Sequence, residues 1–268
     1  MVNRGEGALR LVDDAAEVVG RLGPWTAVLW ITALPSRLLF AFLASELIAL
    51  RSAASGHGDW VRRLAYATLF AWLISLYGRY VFVRACRHAL QSERPPPRAI
   101  LRPVAGEIAG YVAAALAIEA GFWILLLTAV MPIALMVGAG LAAAASSRGG
   151  PGLLDSLGEL GRSIGPSSRL LRLLLLFALA ALFAAANIHL LAKAGIWLAS
   201  GIAGLDTAGW DAVLSANNPL YDLLVLCAVA MLLEPFWLAA LTDHVELVRA
   251  RSSGDDLRRW FAELRARG

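Results

Sequence analysis

The stretch Pro219–Arg251 constrains the fold of this chain most, because it combines a long apolar run with a charged residue inside that run. From Pro219 to Leu241 the run is long enough to cross a bilayer as a helix, which takes roughly 20 residues. Glu234 lies inside the run and is followed by Pro235. A carboxylate there costs about 2.5–3.5 kcal/mol on insertion scales, so it normally faces a partner or a water-filled cavity. The proline lacks a backbone N–H, so one helical carbonyl needs another donor.

The composition indicates that the rest of the chain is built in the same way. Of the 268 residues, 59% are hydrophobic and 16% are charged, and the mean hydropathy is +0.66. The charges cluster between long apolar runs, which is typical of a helical protein with several membrane spans. No arginine cluster carries the interleaved aromatic residues of a nucleic-acid-binding surface. We therefore predict an all-α, polytopic membrane helix bundle that contacts the lipid bilayer and no nucleic acid.

The apolar runs predict about six transmembrane helices, with amphipathic surface helices beside them. The predicted spans are 25–47, 64–85, 108–130, 131–147, 173–191 and 219–241. Amphipathic helices lying on the membrane surface are predicted at 5–22, 152–164 and 255–267. At about 1.5 Å per residue, 104–147 as one helix would be about twice as long as the bilayer core is thick. Two spans are favoured there, and a half-membrane hairpin stays open as the alternative.

Basic residues are distributed unequally between the two ends of these spans. Eighteen lie on one side, namely Arg4, Arg10, Arg21, Arg84, Arg87, Arg94, Arg98, Arg102, Arg148, Arg162, Arg169, Arg172, Arg249, Arg251, Arg258, Arg259, Arg265 and Arg267. Four lie on the other side, namely Arg51, Arg62, Arg63 and Lys193. Because cytoplasmic loops carry an excess of Lys and Arg, this distribution predicts that both termini are cytoplasmic.

Four charged residues inside the spans form two pairs of opposite charge at matching predicted depths. Arg37 and Glu119 both lie about 17–18 Å from the inner end of their spans. Arg79 and Glu234 both lie about 22 Å from the outer end of theirs. We predict that the pairs Arg37–Glu119 and Arg79–Glu234 hold the bundle together. Two alternatives stay open: Arg79 reaches the inner headgroups, or the buried charges serve transport or a proton relay.

A weaker candidate site lies near the outer ends of two spans. His189, with Asn187 and Lys193, could face Asp222 in a polar vestibule. The alternative is that these side chains simply reach the headgroups.

The chain shows no residue pattern that indicates a metal, a cofactor or catalysis. Asp243, His244 and Glu246 are metal-ligand types, but their spacing does not place them on one helical face. Cys86 and Cys227 lie in or beside apolar spans, where we expect them to pack as small apolar side chains. A serine elbow, a P-loop and an HExxH motif are all absent from the sequence. We therefore expect no cofactor and no enzymatic activity.

Several segments resemble one family of bacterial inner-membrane proteins of unknown activity. They are the amphipathic N-terminus and the stretches Leu76–Leu90 (LYGRYVFVRACRHAL), Ile164–Leu176 (IGPSSRLLRLLLL) and Leu233–Leu257 (LEPFWLAALTDHVELVRARSSGDDL). The family is likened to the membrane domain of glycerophosphodiester phosphodiesterases, whose catalytic domain has no counterpart in this chain. Its members tend to be encoded near another multi-span protein, a MoxR-type ATPase and transglutaminase-like proteins. The resemblance implies a bacterial inner-membrane location and protein partners in an assembly.

Two functions from different classes remain. The first is a non-enzymatic scaffold or accessory subunit of a membrane assembly, favoured by the amphipathic helices and by small residues at 137–147 that permit close helix approach. The second is a transporter of a small solute that uses the buried charges. Transporters often contain internal repeats, and the two halves of this chain show no clear self-similarity.

Overall fold

The computed structural model describes residues 7–50, 58–91, 93, 96–102, 108–113, 115–116, 168–207, 209–215 and 217–253. All regular structure within these residues is helical. The helices with defined bounds are α1 (Ala8–Arg21), α2 (Gly23–Leu50), α3 (Gly58–Leu90), α4 (Pro97–Leu101), α5 (Ser168–Gly201), α6 (Trp210–Val213) and α7 (Pro219–Ser253). Residues 108–113 and 115–116 are helical as well. The predicted all-α class is confirmed.

Four of these helices contain segments that are long and apolar enough to cross a membrane, namely Gly23–Ile48, Gly58–Leu90, Arg169–Gly201 and Pro219–Val248. They contain the spans predicted at 25–47, 64–85, 173–191 and 219–241, and they extend beyond most of the predicted ends. The chain is therefore a helical membrane protein. The span predicted at 108–130 is described only at its first residues, and the predicted elements at 131–147, 152–164 and 255–267 lie outside the described residues.

Helix α5 is longer than the sequence predicted. We predicted a span at 173–191, but the helix continues to Gly201. Lys193 is the first charged residue after the predicted span. Residues 192–201 contain no proline, and most of them are tolerated in a helix, so the backbone continues past the point where the side chains become less apolar.

The chain divides into two compact units. Unit 1 consists of Met1–Thr26, Arg79–Leu174 and Pro235–Gly268, and unit 2 consists of Ala27–Gly78 and Leu175–Glu234. Helices α2, α3, α5 and α7 each contribute residues to both units.

Unit 1 contains the most completely buried helix segments. In α3 these residues are Tyr80, Val81, Phe82, Val83, Ala85 and Cys86, and in α7 they are Trp237, Leu238, Ala239, Ala240, Leu241, Thr242, His244 and Val245. A helix that is buried on most of its faces is the centre of a packed core.

The apolar face of α1 is also buried. Its buried residues are Ala8, Leu11, Ala15, Val18 and Val19. The amphipathic helix that we predicted at 5–22 is present as α1, and its apolar face packs against the protein. Its location at the membrane surface stays a prediction. Amphipathic spacing shows which face avoids water, but it does not distinguish burial in lipid from burial against protein.

Unit 2 exposes most of its apolar side chains. In α5, only 11% of the most apolar window is buried in protein. Among its exposed side chains are Leu175, Leu179, Leu182, Phe183, Leu190 and Leu191. A helix in a bilayer faces acyl chains, which are as apolar as leucine, so this exposure is expected of a lipid-facing surface.

Helices α2 and α3 approach closely at one glycine of unit 2. A Cβ atom placed on Gly78 would lie 2.8 Å from the Cβ of Thr32, closer than real Cβ atoms come to other atoms. The Thr32 hydroxyl donates to the carbonyls of Val28 at 2.9 Å and Leu29 at 3.0 Å, so its position is fixed. Only glycine permits this approach between the two helices.

Candidate functional site

Helices α2 and α7 share at least three side-chain contacts within the described part of unit 2. The indole Nε1 of Trp30 donates to the carbonyl of Met231 at 2.8 Å. The thiol of Cys227 donates to the carbonyl of Arg37 at 3.4 Å. A guanidinium nitrogen of Arg37 donates to a carboxylate oxygen of Glu234. From the Trp30–Met231 contact to the Arg37–Cys227 contact, the residue number rises along α2 and falls along α7. The two helices therefore run antiparallel.

The Arg37–Glu234 ion pair lies inside two candidate membrane spans and is largely shielded. The side chain of Arg37 is 14% exposed, and that of Glu234 is 9% exposed. A lone charge in an apolar medium is costly, and an opposite charge within hydrogen-bonding distance offsets much of that cost. The pair therefore lets two ionised side chains remain inside the apolar part of the molecule.

The directions of the side chains explain why these two residues meet. Cys227 places Arg37 nearly level with residue 227 of α7, and Glu234 lies seven residues further along. That separation is about 10 Å along the helix axis. Helical side chains lean toward the N-terminus of their own helix. In antiparallel helices the leaning side chains of Arg37 and Glu234 therefore point toward each other, and together they cover this distance.

Pro235 determines which carbonyl Trp30 binds. In an α-helix the N–H of residue 235 would donate to the carbonyl of residue 231, and proline has no N–H. The carbonyl of Met231 therefore lacks its helical donor, and the indole of Trp30 supplies one from the neighbouring helix. Tryptophan suits this role because its N–H can only donate, and its ring is otherwise apolar.

Chemically, this constellation can hold two helices together. The charges of Arg37 and Glu234 balance each other. The carbonyl of Met231, which Pro235 leaves without its helical donor, accepts from Trp30.

The two pairings predicted from depth differ from the contact observed. We predicted Arg79 as the partner of Glu234 and Glu119 as the partner of Arg37, whereas the structure pairs Arg37 with Glu234. Glu119 lies outside the described residues, so its contact with Arg37 stays a prediction. The contact between Arg79 and Glu234 also stays a prediction. The depth calculation compared backbone positions only. Long side chains on antiparallel helices lean toward each other, so they can pair residues whose backbones lie at different depths.

His189 has a partner on α7, next to the one that the sequence suggested. Its Nδ1 shares a hydrogen bond of 2.8 Å with the hydroxyl of Tyr221, and the two rings are tilted with centroids 5.7 Å apart. We had suggested Asp222, whose side chain is exposed. Asn187 donates to the carbonyl of Phe183 in its own helix at 2.7 Å.

Sequence reasoning missed the roles of Trp30, Cys227 and Tyr221. A signal existed for Trp30, because Pro235 necessarily leaves the carbonyl of Met231 without its helical donor. A tryptophan on a neighbouring span is a natural donor for such a carbonyl. No comparable signal marked Cys227 or Tyr221, since each depends on which helix faces which.

The metal-ligand types at the end of α7 do not gather into a site. Within the residues that the structure describes, no group of three or more His, Cys, Asp or Glu side chains could hold a metal ion. His244 is fully buried in α7, beside the buried Thr242, whose hydroxyl donates to the carbonyl of Leu238 at 2.7 Å.

Two open clefts lie in unit 2, near the C-terminal end of α5 and the short helix α6. Their lining residues include Gly195, Ile196, Asp206 and Trp210. Among the described residues that line these clefts, Arg37 and Glu234 are absent.

The comparisons with known proteins identify no relative of this chain: no protein-family model, curated protein or solved structure matches it. The resemblance to the bacterial inner-membrane family therefore stays an expectation drawn from the sequence.

Proposed function

We propose that this protein is a non-enzymatic scaffold or accessory subunit of an assembly in a bacterial inner membrane. The observation that carries this proposal is the Arg37–Glu234 contact, which uses the buried charges of α2 and α7 to join two helices. Transport sites usually lie in a cavity near the bilayer midplane, with polar groups turned toward the solute. Here both charges are turned toward each other.

The family resemblance supports the same proposal from another direction. Proteins of that family tend to be encoded near a MoxR-type ATPase, transglutaminase-like proteins and a second multi-span protein. A cytoplasmic ATPase would need a docking surface on the membrane subunit, and an amphipathic helix is predicted at 255–267. Such helices bind a groove on a partner through an apolar face.

The test is affinity purification of the tagged full chain from its native membrane after mild crosslinking. We expect a defined set of partners that is lost or reduced when residues 255–268 are deleted. Glu234→Gln is the matched internal variant, because its amide oxygen still accepts from Arg37, and the partner set should be unchanged. If the full chain and the deletion variant retain the same proteins, the proposed role of residues 255–268 is wrong.

A small-solute transporter is the second candidate, and Glu234 is the observation that favours it. Carboxylates inside spans form proton relays in many pumps and transporters. This candidate predicts solute flux in reconstituted vesicles that depends on pH and is abolished by Glu234→Gln. The scaffold predicts no such flux and a folded, partner-binding Glu234→Gln variant.

We further propose that both termini are cytoplasmic, on the basis of the eighteen-to-four distribution of basic residues. Single cysteines at positions 211 and 254, in a background without Cys86 and Cys227, should react with an impermeant thiol reagent from opposite sides of the membrane. Labelling of both positions from the outside, or of neither, would contradict this topology.

A further inference from the structure

The short helix α4 is held beside the last turns of α3 by Arg84. The Nη1 atom of Arg84 donates to the carbonyl of Arg102 at 2.7 Å and lies 3.4 Å from the carbonyl of Ile100. Carbonyls at the C-terminal end of a helix lack intrahelical donors and carry partial negative charge, so a guanidinium satisfies both needs. Ile100 is only 4% exposed, so its burial also holds the helix against the protein.

These contacts determine where α4 lies along the axis of α3. Arg84 precedes the end of α3 at Leu90 by six residues, about 9 Å along the helix axis. The C-terminal end of α4 therefore lies alongside α3 and not beyond its end. Arg84 is also at the predicted inner end of the span 64–85. With the orientation proposed above, α4 lies where the acyl chains of the cytoplasmic leaflet give way to the headgroups.

The outer surface of α4 combines positive charge with an exposed apolar side chain. Arg98 and Arg102 are one helical turn apart, both are exposed, and neither forms an ion pair with a described residue. Leu101 lies beside Arg102 and is 40% exposed. The acidic residue of this connector, Glu93, shares a hydrogen bond of 2.7 Å with His88.

We propose that Arg98, Leu101 and Arg102 form a binding surface for an anionic phospholipid of the cytoplasmic leaflet. Guanidinium groups bind phosphate oxygens through paired N–H donors, and two arginines one turn apart can contact one headgroup. Leu101 then contacts the upper part of an acyl chain. The lipid is favoured over a soluble anion because the surface lies at the headgroup level and presents a leucine, which a free phosphate would leave exposed to water.

The test uses the full-length protein in detergent, with lipid binding measured by native mass spectrometry. Phosphatidylglycerol is the anionic probe and phosphatidylcholine is the zwitterionic control. In the double variant Arg98→Gln/Arg102→Gln we expect affinity for phosphatidylglycerol to fall about 30-fold, about fivefold for each arginine. Binding of phosphatidylcholine should not change. The matched control is Arg62→Gln/Arg63→Gln, which removes two exposed arginines from the other end of α3 and should keep the preference.

Three further measurements make the proposal refutable even if a variant folds poorly. Arg98→Lys/Arg102→Lys retains both charges but loses the paired N–H donors, so its preference for phosphatidylglycerol should lie between those of the unaltered protein and the glutamine variant; a preference no greater than that of the glutamine variant would overturn the proposal. Leu101→Ser should weaken binding of phosphatidylglycerol. If inorganic phosphate displaces phosphatidylglycerol at equal concentration, the surface binds free anions and the lipid assignment is wrong. An unchanged preference in the glutamine variant would also overturn it.

Discussion

Removing either member of the Arg37–Glu234 pair should destabilise the protein strongly. Both side chains are largely shielded, at 14% and 9% exposed, so truncating one leaves the other charged group with poor solvation. Breaking a buried pair in this way typically costs about 3–5 kcal/mol. In the double variant Arg37→Ala/Glu234→Ala no charge is left behind, so the total cost should be less than the sum of the two single changes. The difference, the coupling free energy, should be about 1–3 kcal/mol.

The assay is reversible unfolding in mixed detergent micelles, which gives a free energy of unfolding for each variant. The control is the Arg21–Glu17 pair on α1, which has the same residue types but side chains that are 65% and 60% exposed. Its cycle should give a coupling of about 0.3–0.5 kcal/mol, as measured for exposed pairs one turn apart on a helix. The contrast between the two cycles isolates the effect of burial.

Two results would refute this reasoning. Strictly additive losses for Arg37→Ala and Glu234→Ala would show that the two side chains are not energetically coupled. Equal coupling in the buried and the exposed pair would show that shielding contributes nothing. Glu234→Gln should lose less stability than Glu234→Ala, because the amide oxygen still accepts a hydrogen bond from Arg37.

Two further predictions concern helix packing in unit 2 and use the same unfolding assay. Gly78→Ala should lower the free energy of unfolding by about 1–3 kcal/mol, because its methyl group would overlap Thr32. The control Gly195→Ala has open space around it and should leave stability unchanged or raise it by up to about 1 kcal/mol. Equal effects of the two changes would contradict the close approach of α2 and α3. Trp30→Phe should cost about 1–3 kcal/mol by removing the donor to the carbonyl that Pro235 leaves, and it should cost less in a Pro235→Ala background, where an alanine N–H can donate instead. An equal cost in both backgrounds would show that the indole does not serve this carbonyl.

The sequence predicts the long apolar helices well, because a run of some 20 apolar residues has few alternatives to a membrane-spanning helix. It predicts their ends less well. Lys193 marks the point where α5 becomes more polar, yet the backbone stays helical to Gly201 because no residue there forces an end. Hydropathy indicates where a helix leaves apolar surroundings. The residue at which the helix ends depends instead on proline, glycine and capping residues.

What the sequence cannot give is the surface that each element faces. Residues 8–19 of α1 show a clear apolar face, and the same spacing would serve a helix on lipid or a helix on protein. Similarly, four charged residues in the spans allow more than one pairing. Only the packing of α2 against α7 decides that Arg37 reaches Glu234.

The three contacts between α2 and α7 also explain how two apolar helices in lipid can keep one register. On α2, Trp30 and Arg37 are seven residues apart, which places them on one face two turns apart; on α7, Cys227 and Glu234 have the same spacing. Between helices in a bilayer there is no hydrophobic driving force, and many registers of leucine and alanine contacts are nearly equivalent. A slip of one turn, about 5.4 Å, would separate Arg37 from Glu234 and leave the carbonyl freed by Pro235 without the indole donor. We infer that these polar groups specify the register of the two helices, and we expect a loss of register in the variants above to accompany their loss of stability.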